Sequence, residues 1–130
     1  MKIYITKSKI KNAGRGVFAI VNFRKGEIIE QCPVIVLSRK DYLLAKKTEL
    51  KNYYFMWGKV TSAICLGYGS VYNHSYEPNA TYKKQIKEKT INFVAIKNIK
   101  KGEEITVNYN YGKPEDKRTL WIKSIKPANL

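Results

Sequence analysis

The chain has 130 residues, of which 44% are hydrophobic and 27% charged. This length is enough for one domain with a modest core, and no apolar run approaches the roughly 20 residues that would span a membrane. Lys and Arg number 25 against 10 Asp and Glu, giving a net charge of +15. This charge favours contact with nucleic acid or another acidic partner. The alternative is a solvated surface without such a role, because the lysines are scattered along the sequence.

The N-terminus lacks the continuous apolar stretch of a signal peptide, so we expect a cytoplasmic location. In that compartment Cys32 and Cys65 are expected to be reduced and to be buried as small hydrophobic residues. Even together with His74, the single histidine, they provide too few ligands for a tetrahedral zinc site. No metal is predicted.

In chain order, the predicted elements are mainly short strands. The first, at residues 2–6, alternates apolar and polar side chains, as a half-buried strand does. The others are β-branched or aromatic runs bounded by polar turns, such as the turn at Gly26, where a positive φ is expected. The predicted strands cover residues 2–6, 16–20, 27–37, 52–57, 62–67, 90–96 and 103–109.

Helices are expected to be few and short. Ser38 is suited to cap the N-terminus of a helix that buries Tyr42, Leu43 and Ala45. A second short helix is predicted over residues 114–125. The expected fold class is therefore mainly β with small helical pieces.

One twelve-residue pattern occurs twice. "FAIVNFRKGEII" at 18–29 and "VAIKNIKKGEEI" at 94–105 share Ala, Ile, Asn, Lys, Gly, Glu and a final Ile at equivalent positions. Each copy predicts a strand, a turn at Gly26 or Gly102, and a second strand. We interpret them as similar β-units that flank a distinct central segment.

Three motifs carry the functional information: "NAGRGVFA" at 12–19, "GYGSVYNHSYEPNA" at 67–80 and "GEEITVNYNYG" at 102–112. Gly14 and Gly16 allow the backbone to approach a ligand closely. They do not have the spacing of a dinucleotide fingerprint or of a P-loop, so a phosphate cradle is not predicted.

In this order and spacing, the three motifs resemble the SET-domain protein lysine methyltransferases, in particular the minimal members of bacteria and large DNA viruses. The resemblance implies a single domain over 1–130, with a core at about 3–112 and a closing segment at 113–130. It implies small curved sheets with a pseudoknot. It also implies transfer of a methyl group from S-adenosylmethionine to a lysine of a protein substrate, such as a histone or another basic chromosomal or ribosomal protein. A viral or pathogen protein of this kind would act in the host nucleus.

A cofactor site around the central motif follows from the resemblance. By residue type alone, the lone His74 is more often structural. In the family, Asn73 and His74 contact the adenine and the amino-acid end of the cofactor, Pro78 and Asn79 fix the turn, and segment 14–18 closes the other side. Trp121 either lies over the pocket or packs in the core. The residues predicted to bind the cofactor are Gly14, Arg15, Gly16, Phe18, Asn73, His74 and Trp121.

The resemblance also assigns tyrosines to the transfer site. Tyr109 matches the catalytic tyrosine, Tyr53 (or the adjacent Tyr54) a channel tyrosine, and Tyr82 a channel tyrosine of some members. As strand aromatics, all of them have an alternative role in core packing. Val107 stands where many histone-methylating members have Phe or Tyr, so the number of methyl groups added stays open. Tyr82 is expected to compensate by holding a water molecule.

Methyl transfer to lysine requires a neutral, desolvated amine lined up behind the methyl carbon. A strong protein base is not required, because the sulfonium charge and desolvation both lower the pKa of the incoming lysine. The alternative is a catalytically idle SET-like module that binds nucleic acid or chromatin through its basic surface. An open channel end in so small a domain is also compatible with a homodimer.

Overall fold

A computed structural model describes residues 1–59, 61–110, 113–118 and 120. In this part of the chain the predicted mainly β class is confirmed, with nine strands and two short helices. The strands are β1 (Ile3–Lys7), β2 (Arg15–Ala19), β3 (Ile28–Val36), β4 (Phe55–Trp57), β5 (Thr61–Cys65), β6 (Asn73–His74), β7 (Ala80–Gln85), β8 (Thr90–Ala95) and β9 (Glu104–Val107). The helices are α1 (Arg39–Ala45) and a 3₁₀ helix (Glu49–Asn52).

The strands form two sheets. One has the order β1-β2-β9-β6, and the other has the order β4-β5-β3-β8-β7. Neighbouring strands are antiparallel except for β6 and β9, which are parallel, with Asn73 opposite Thr106 and His74 opposite Val107. This pairing places the central motif directly beside the last motif.

The segment after β6 is held along β9 by a side chain that replaces a strand neighbour. Asn79 donates from Nδ2 to the carbonyl oxygen of Glu104 (2.9 Å) and accepts from the backbone N–H of Thr106 (2.9 Å). In the same segment, the Tyr76 hydroxyl donates to the carbonyl oxygen of Arg118 (2.9 Å). Segments distant in sequence are therefore held together here by hydrogen bonds.

The two copies of the repeat bind each other. The backbone N–H of Phe23 donates to the carbonyl of Ile99, and the N–H of Ile99 donates to the carbonyl of Phe23, both at 2.8 Å. The turns are equivalent, with φ of 93° at Gly26 and 91° at Gly102. The other reciprocal hydrogen bonds are Lys25 N to Asn98 Oδ1 (2.9 Å), Lys101 N to Asn22 Oδ1 (2.8 Å), Gly26 N to Ala95 O (2.8 Å) and Gly102 N to Ala19 O (2.8 Å).

Both sheets contribute to one hydrophobic core. Its largest members include Phe23, Phe93, Ile99 and Ile105, each at most 1% exposed. Complete burial of such a side chain contributes about 1.5–3 kcal/mol. Tyr72 stacks on Phe93 with ring centroids 4.2 Å apart, so the loop that precedes β6 is anchored in the core.

The predicted helix is present, but the burial predicted for one of its three apolar residues is wrong. The Ser38 hydroxyl accepts from the backbone N–H of Asp41 (3.1 Å), which confirms the cap. Ala45 is buried and Tyr42 is half-buried, whereas Leu43 is 43% exposed. A helix of seven residues has only about two turns, and therefore only a narrow face reaches the rest of the protein.

Three other elements differ from expectation. The strand predicted over 52–57 begins only at Phe55, because the 3₁₀ helix and a turn precede it. The sequence does not predict β7, because its lysines are typical of a solvated surface. Residues 114–118 form a turn and an irregular segment instead of the start of a helix, and residues 121–125 lie outside the described residues.

Cys32 and Cys65 are free thiols, and the burial predicted for them is confirmed. The hydrogen bond with the neighbouring Cys65 thiol raises the pKa of Cys32, and burial raises it further. Among the described residues, no helix is long and apolar enough to cross a membrane.

Candidate active site

A pocket of about 240 Å³ lies where β4, β7, the loop before β6 and the end of β9 meet. It is smaller than the roughly 300–1,000 Å³ typical of pockets for drug-sized ligands. Its size and aromatic walls suit one extended aliphatic side chain. The aromatic residues that line it are Tyr53, Tyr54, Phe55, Tyr72, Tyr82 and Tyr109.

The three tyrosines predicted for the transfer site all line this pocket. Burial raises the pKa of Tyr109, and the Tyr82 and Tyr53 phenols raise it further. Tyr54 also lines the pocket, but its ring packs edge-on against Tyr42, with centroids 5.5 Å apart. The geometry therefore brings Tyr53, Tyr82 and Tyr109 together, while their catalytic roles stay predictions.

Tyr109 is held at both ends. Its backbone N–H donates to Nδ1 of His74 (3.0 Å), and its hydroxyl donates to the carbonyl oxygen of Tyr72 (2.7 Å). Because burial raises its pKa above the ordinary value of 10, the phenol is protonated at neutral pH. Tyr109 can therefore orient and donate a hydrogen bond, but it is poorly suited to act as a base.

His74 is buried and neutral. Burial lowers its pKa to about 4, and since Nδ1 accepts the hydrogen bond from Tyr109, the ring proton is assigned to Nε2. Nε2 is buried without a hydrogen-bond partner among the described residues. A buried donor of this kind is normally satisfied, which makes it a candidate contact for a bound acceptor.

Asn73 and Glu104 join the three motifs. The Asn73 side chain donates from Nδ2 to the carbonyl oxygen of Arg15 (2.8 Å) and to Oε2 of Glu104 (2.9 Å). The Glu104 carboxylate also accepts from the Ser8 hydroxyl (2.8 Å) and from the backbone N–H of Lys9 (2.9 Å). No role was predicted for Glu104. Its signal was a carboxylate that begins an apolar strand in the quoted motif.

Gly14 and Gly16 serve this network. Gly14 has a φ of 72°, which favours glycine. A Cβ at Gly16 would collide with the Glu104 carboxylate and lie 3.0 Å from Nδ2 of Asn73. The close approach expected at Gly16 is therefore made by a carboxylate of the same chain.

The remaining residues predicted for the cofactor site are Arg15, Phe18 and Trp121. Burial raises the pKa of Tyr53, and the positive charge of the exposed Arg15 opposes that shift. Phe18 is buried against Tyr4, with ring centroids 5.7 Å apart. Trp121 lies outside the described residues. Their roles at the cofactor stay predictions.

Glu30 stabilises a residue that lines the pocket, and no role was predicted for it from the sequence. Its carboxylate accepts from the Tyr72 hydroxyl (2.8 Å) and from the backbone N–H of Tyr68 (3.0 Å). The carbonyl of Tyr72 in turn holds the Tyr109 hydroxyl. The signal in the sequence was a single acidic residue inside the apolar run of β3.

The two small sheets place the central motif beside the last one, and a tyrosine-lined pocket lies at their junction. This arrangement is that of a SET-domain protein. A family model described as SET domain matches residues 14–110. The chain therefore belongs to the SET-domain family, and it is a protein-lysine N-methyltransferase.

Similarity to individual proteins and solved structures supports the same family. A histone-lysine N-methyltransferase of Schizosaccharomyces pombe, specific for lysine 37 of histone H3, is 30% identical over 115 residues, which covers 84% of this chain and 78% of that protein. The crystal structure of a Plasmodium falciparum protein described as a candidate histone methyltransferase has a TM-score of 0.66 at 33% identity and covers 85% of this chain and 94% of that one. A structure of an active polycomb repressive complex 2 has a TM-score of 0.71 at 25% identity, covering 83% of this chain and 15% of that one.

Proposed function

We propose that this chain transfers methyl groups from S-adenosylmethionine to a lysine of a histone or another basic chromosomal or ribosomal protein. The observation that carries the proposal is the tyrosine-lined pocket, one of whose lining residues, Tyr109, is hydrogen-bonded to His74. The Schizosaccharomyces pombe relative acts on histone H3, and histone H3 is therefore the first substrate to test.

The residues beside the pocket fit the proposed cofactor. The Nε2–H of His74 is a buried donor without a partner among the described residues, and an adenine nitrogen is a suitable acceptor. The backbone of segment 14–18 is fixed next to Asn73 by the bond from Nδ2 to the carbonyl of Arg15. His74, Asn73 and segment 14–18 are the groups that would hold the cofactor.

When bound, S-adenosylmethionine supplies an electrophilic methyl group and a positive charge. The aromatic walls exclude water from the lysine stem, and this desolvation lowers the pKa of the amine. The protonated phenol of Tyr109 does not accept the amine proton, which leaves to solvent before transfer. Tyr109, fixed by Tyr72 and His74, orients the reacting groups.

The test is transfer of labelled methyl from S-adenosylmethionine to core histones, nucleosomes and a bacterial lysate. We expect Tyr109→Phe to reduce transfer at least about a hundredfold while cofactor binding is retained, because the ring stays and only the positioned hydroxyl is lost. Tyr4→Phe is the matched control, since Tyr4 is exposed and lies outside the pocket lining. A wild-type rate in Tyr109→Phe would contradict the assignment.

The number of methyl groups depends on Tyr82 and Val107, which both line the pocket. We propose that the small Val107 leaves space that Tyr82 and a water molecule held by its hydroxyl fill. Tyr82→Phe should then raise the share of di- and trimethylated product, as measured by mass spectrometry of the labelled protein. An unchanged product distribution would assign the limit to another residue.

The basic surface is the basis of a second proposal, contact with nucleic acid or chromatin. It predicts an affinity for DNA that falls steeply with salt concentration, measured by fluorescence anisotropy. In an idle module this binding would persist without methyl transfer. A homodimer is tested by light scattering of the purified chain.

A further inference from the structure

One cation lies in the wall of the aromatic pocket. Lys84 lines the pocket together with Tyr82, two residues earlier on the same face of β7. Its side chain is half-buried. No acidic residue of the described chain lines the pocket beside it.

The electrostatic environment of this lysine is unfavourable. Burial lowers the pKa of Lys84, and no charged group in the described part of the chain offsets that shift. Within the described residues Lys84 forms no salt bridge. Partial desolvation of an ammonium without a counter-ion costs free energy, and the approach of a second lysine adds repulsion of like charge. A carboxylate brought by the substrate would relieve both.

We propose that Lys84 is a specificity-determining residue, which binds an Asp or Glu side chain close to the target lysine in the substrate. The inference rests on the proposed function, because it requires that the target lysine enters this pocket. The lysine stem itself occupies the tyrosine-lined space. The carboxylate must therefore belong to a neighbouring position of the substrate.

The chain has a matched control for this charge. Lys83 precedes Lys84 on β7, points to the opposite face and is exposed. Because the net charge is +15, acidic peptides will be attracted to the whole surface in any case. Lys83→Glu and Lys84→Glu change the net charge equally, so a difference between them reports the position.

The experiment uses a degenerate peptide library with one fixed central lysine, incubated with the full chain and S-adenosylhomocysteine. Retained peptides are sequenced for wild type, Lys84→Glu, Lys84→Gln and Lys83→Glu, each checked for folding by circular dichroism. In wild type and Lys83→Glu we expect Asp and Glu to be enriched about tenfold at a fixed distance from the central lysine, as one bond between charged groups provides. Lys84→Gln should lose the enrichment, and Lys84→Glu should replace it with Lys and Arg.

Several results would overturn the inference. These are acidic enrichment spread over all positions, equal enrichment in all four proteins, or no retention of peptides by the wild type. Methyl transfer to the same library separates this inference from the proposed function. Transfer without acidic preference overturns only the role of Lys84, whereas an acidic preference in binding without any transfer supports Lys84 and counts against the proposed function.

Discussion

Residues 18–29 and 94–105 can be compared position by position, because the two copies of the repeat form the same turn and the same hydrogen bonds. They diverge directly after the shared glutamate, where the first copy has Ile28 and the second has Glu104. Ile28 is 51% exposed and pairs with Val94 at the edge of the core. Glu104 binds Ser8, Lys9 and Asn73 and so joins the three motifs of the site.

The turns themselves are a scaffold that the local sequence specifies, and they carry no functional information. The functional difference arises from the strand that follows each turn. After the first turn, β3 forms the central strand of the five-stranded sheet. After the second, β9 runs beside β6 and delivers Tyr109 to the pocket.

The largest expected effect is a loss of stability when the Glu104 carboxylate, which the first copy lacks, is removed. Glu104→Ala removes the acceptor of hydrogen bonds from Ser8, Lys9 and Asn73, and we expect the free energy of unfolding to fall by about 4 kcal/mol. Ile28→Ala, the equivalent change in the first copy, should cost less than about 1 kcal/mol because the side chain is half exposed. Urea unfolding of both variants measures the difference, and equal losses would contradict the assigned role of Glu104.

The next effect depends on pH. Burial lowers the pKa of His74 to about 4 from 6.5. The unfolded state therefore takes up a proton below about pH 6.5, while the folded state resists until about pH 4. The stabilisation from neutral His74 is complete above pH 6.5, and about 3 kcal/mol of it is lost as pH falls to about 4.

His74 lies beside β9, the strand that follows the second turn, and pairs with Val107. Urea unfolding of wild type and His74→Gln between pH 7 and pH 4 should therefore show a steeper loss of stability in the wild type. Parallel pH profiles would show that His74 does not titrate in this range.

The smallest effect tests the equivalence of the turns. Gly26 and Gly102 both have positive φ, and no atom lies within 4 Å of a Cβ added at either one. Gly26→Ala and Gly102→Ala should each cost about 1 kcal/mol, from backbone strain alone. Thermal unfolding of the pair measures both values, and clearly unequal costs would mean that the turns are not equivalent.

Much of the scaffold could be predicted from local patterns. The Ser38 cap, the turns at Gly26 and Gly102 and most strands follow from propensity and periodicity over a few residues. The prediction that Leu43 is buried was wrong, because hydrophobicity alone does not indicate which face of a two-turn helix packs against the core. β7 was not predicted because its two adjacent lysines are typical of a solvated surface, although one of them, Lys84, lies in the pocket wall.

By itself, the sequence determined the motifs, and with them the family and the tyrosines to examine. Only the tertiary structure decided that Glu104 and Glu30 hold these pieces in place, since a carboxylate acquires its partners from segments distant in the chain. It also decided that Tyr53, Tyr82 and Tyr109 share one pocket with Lys84. Such convergence depends on the pairing and crossing of strands, which local periodicity does not encode.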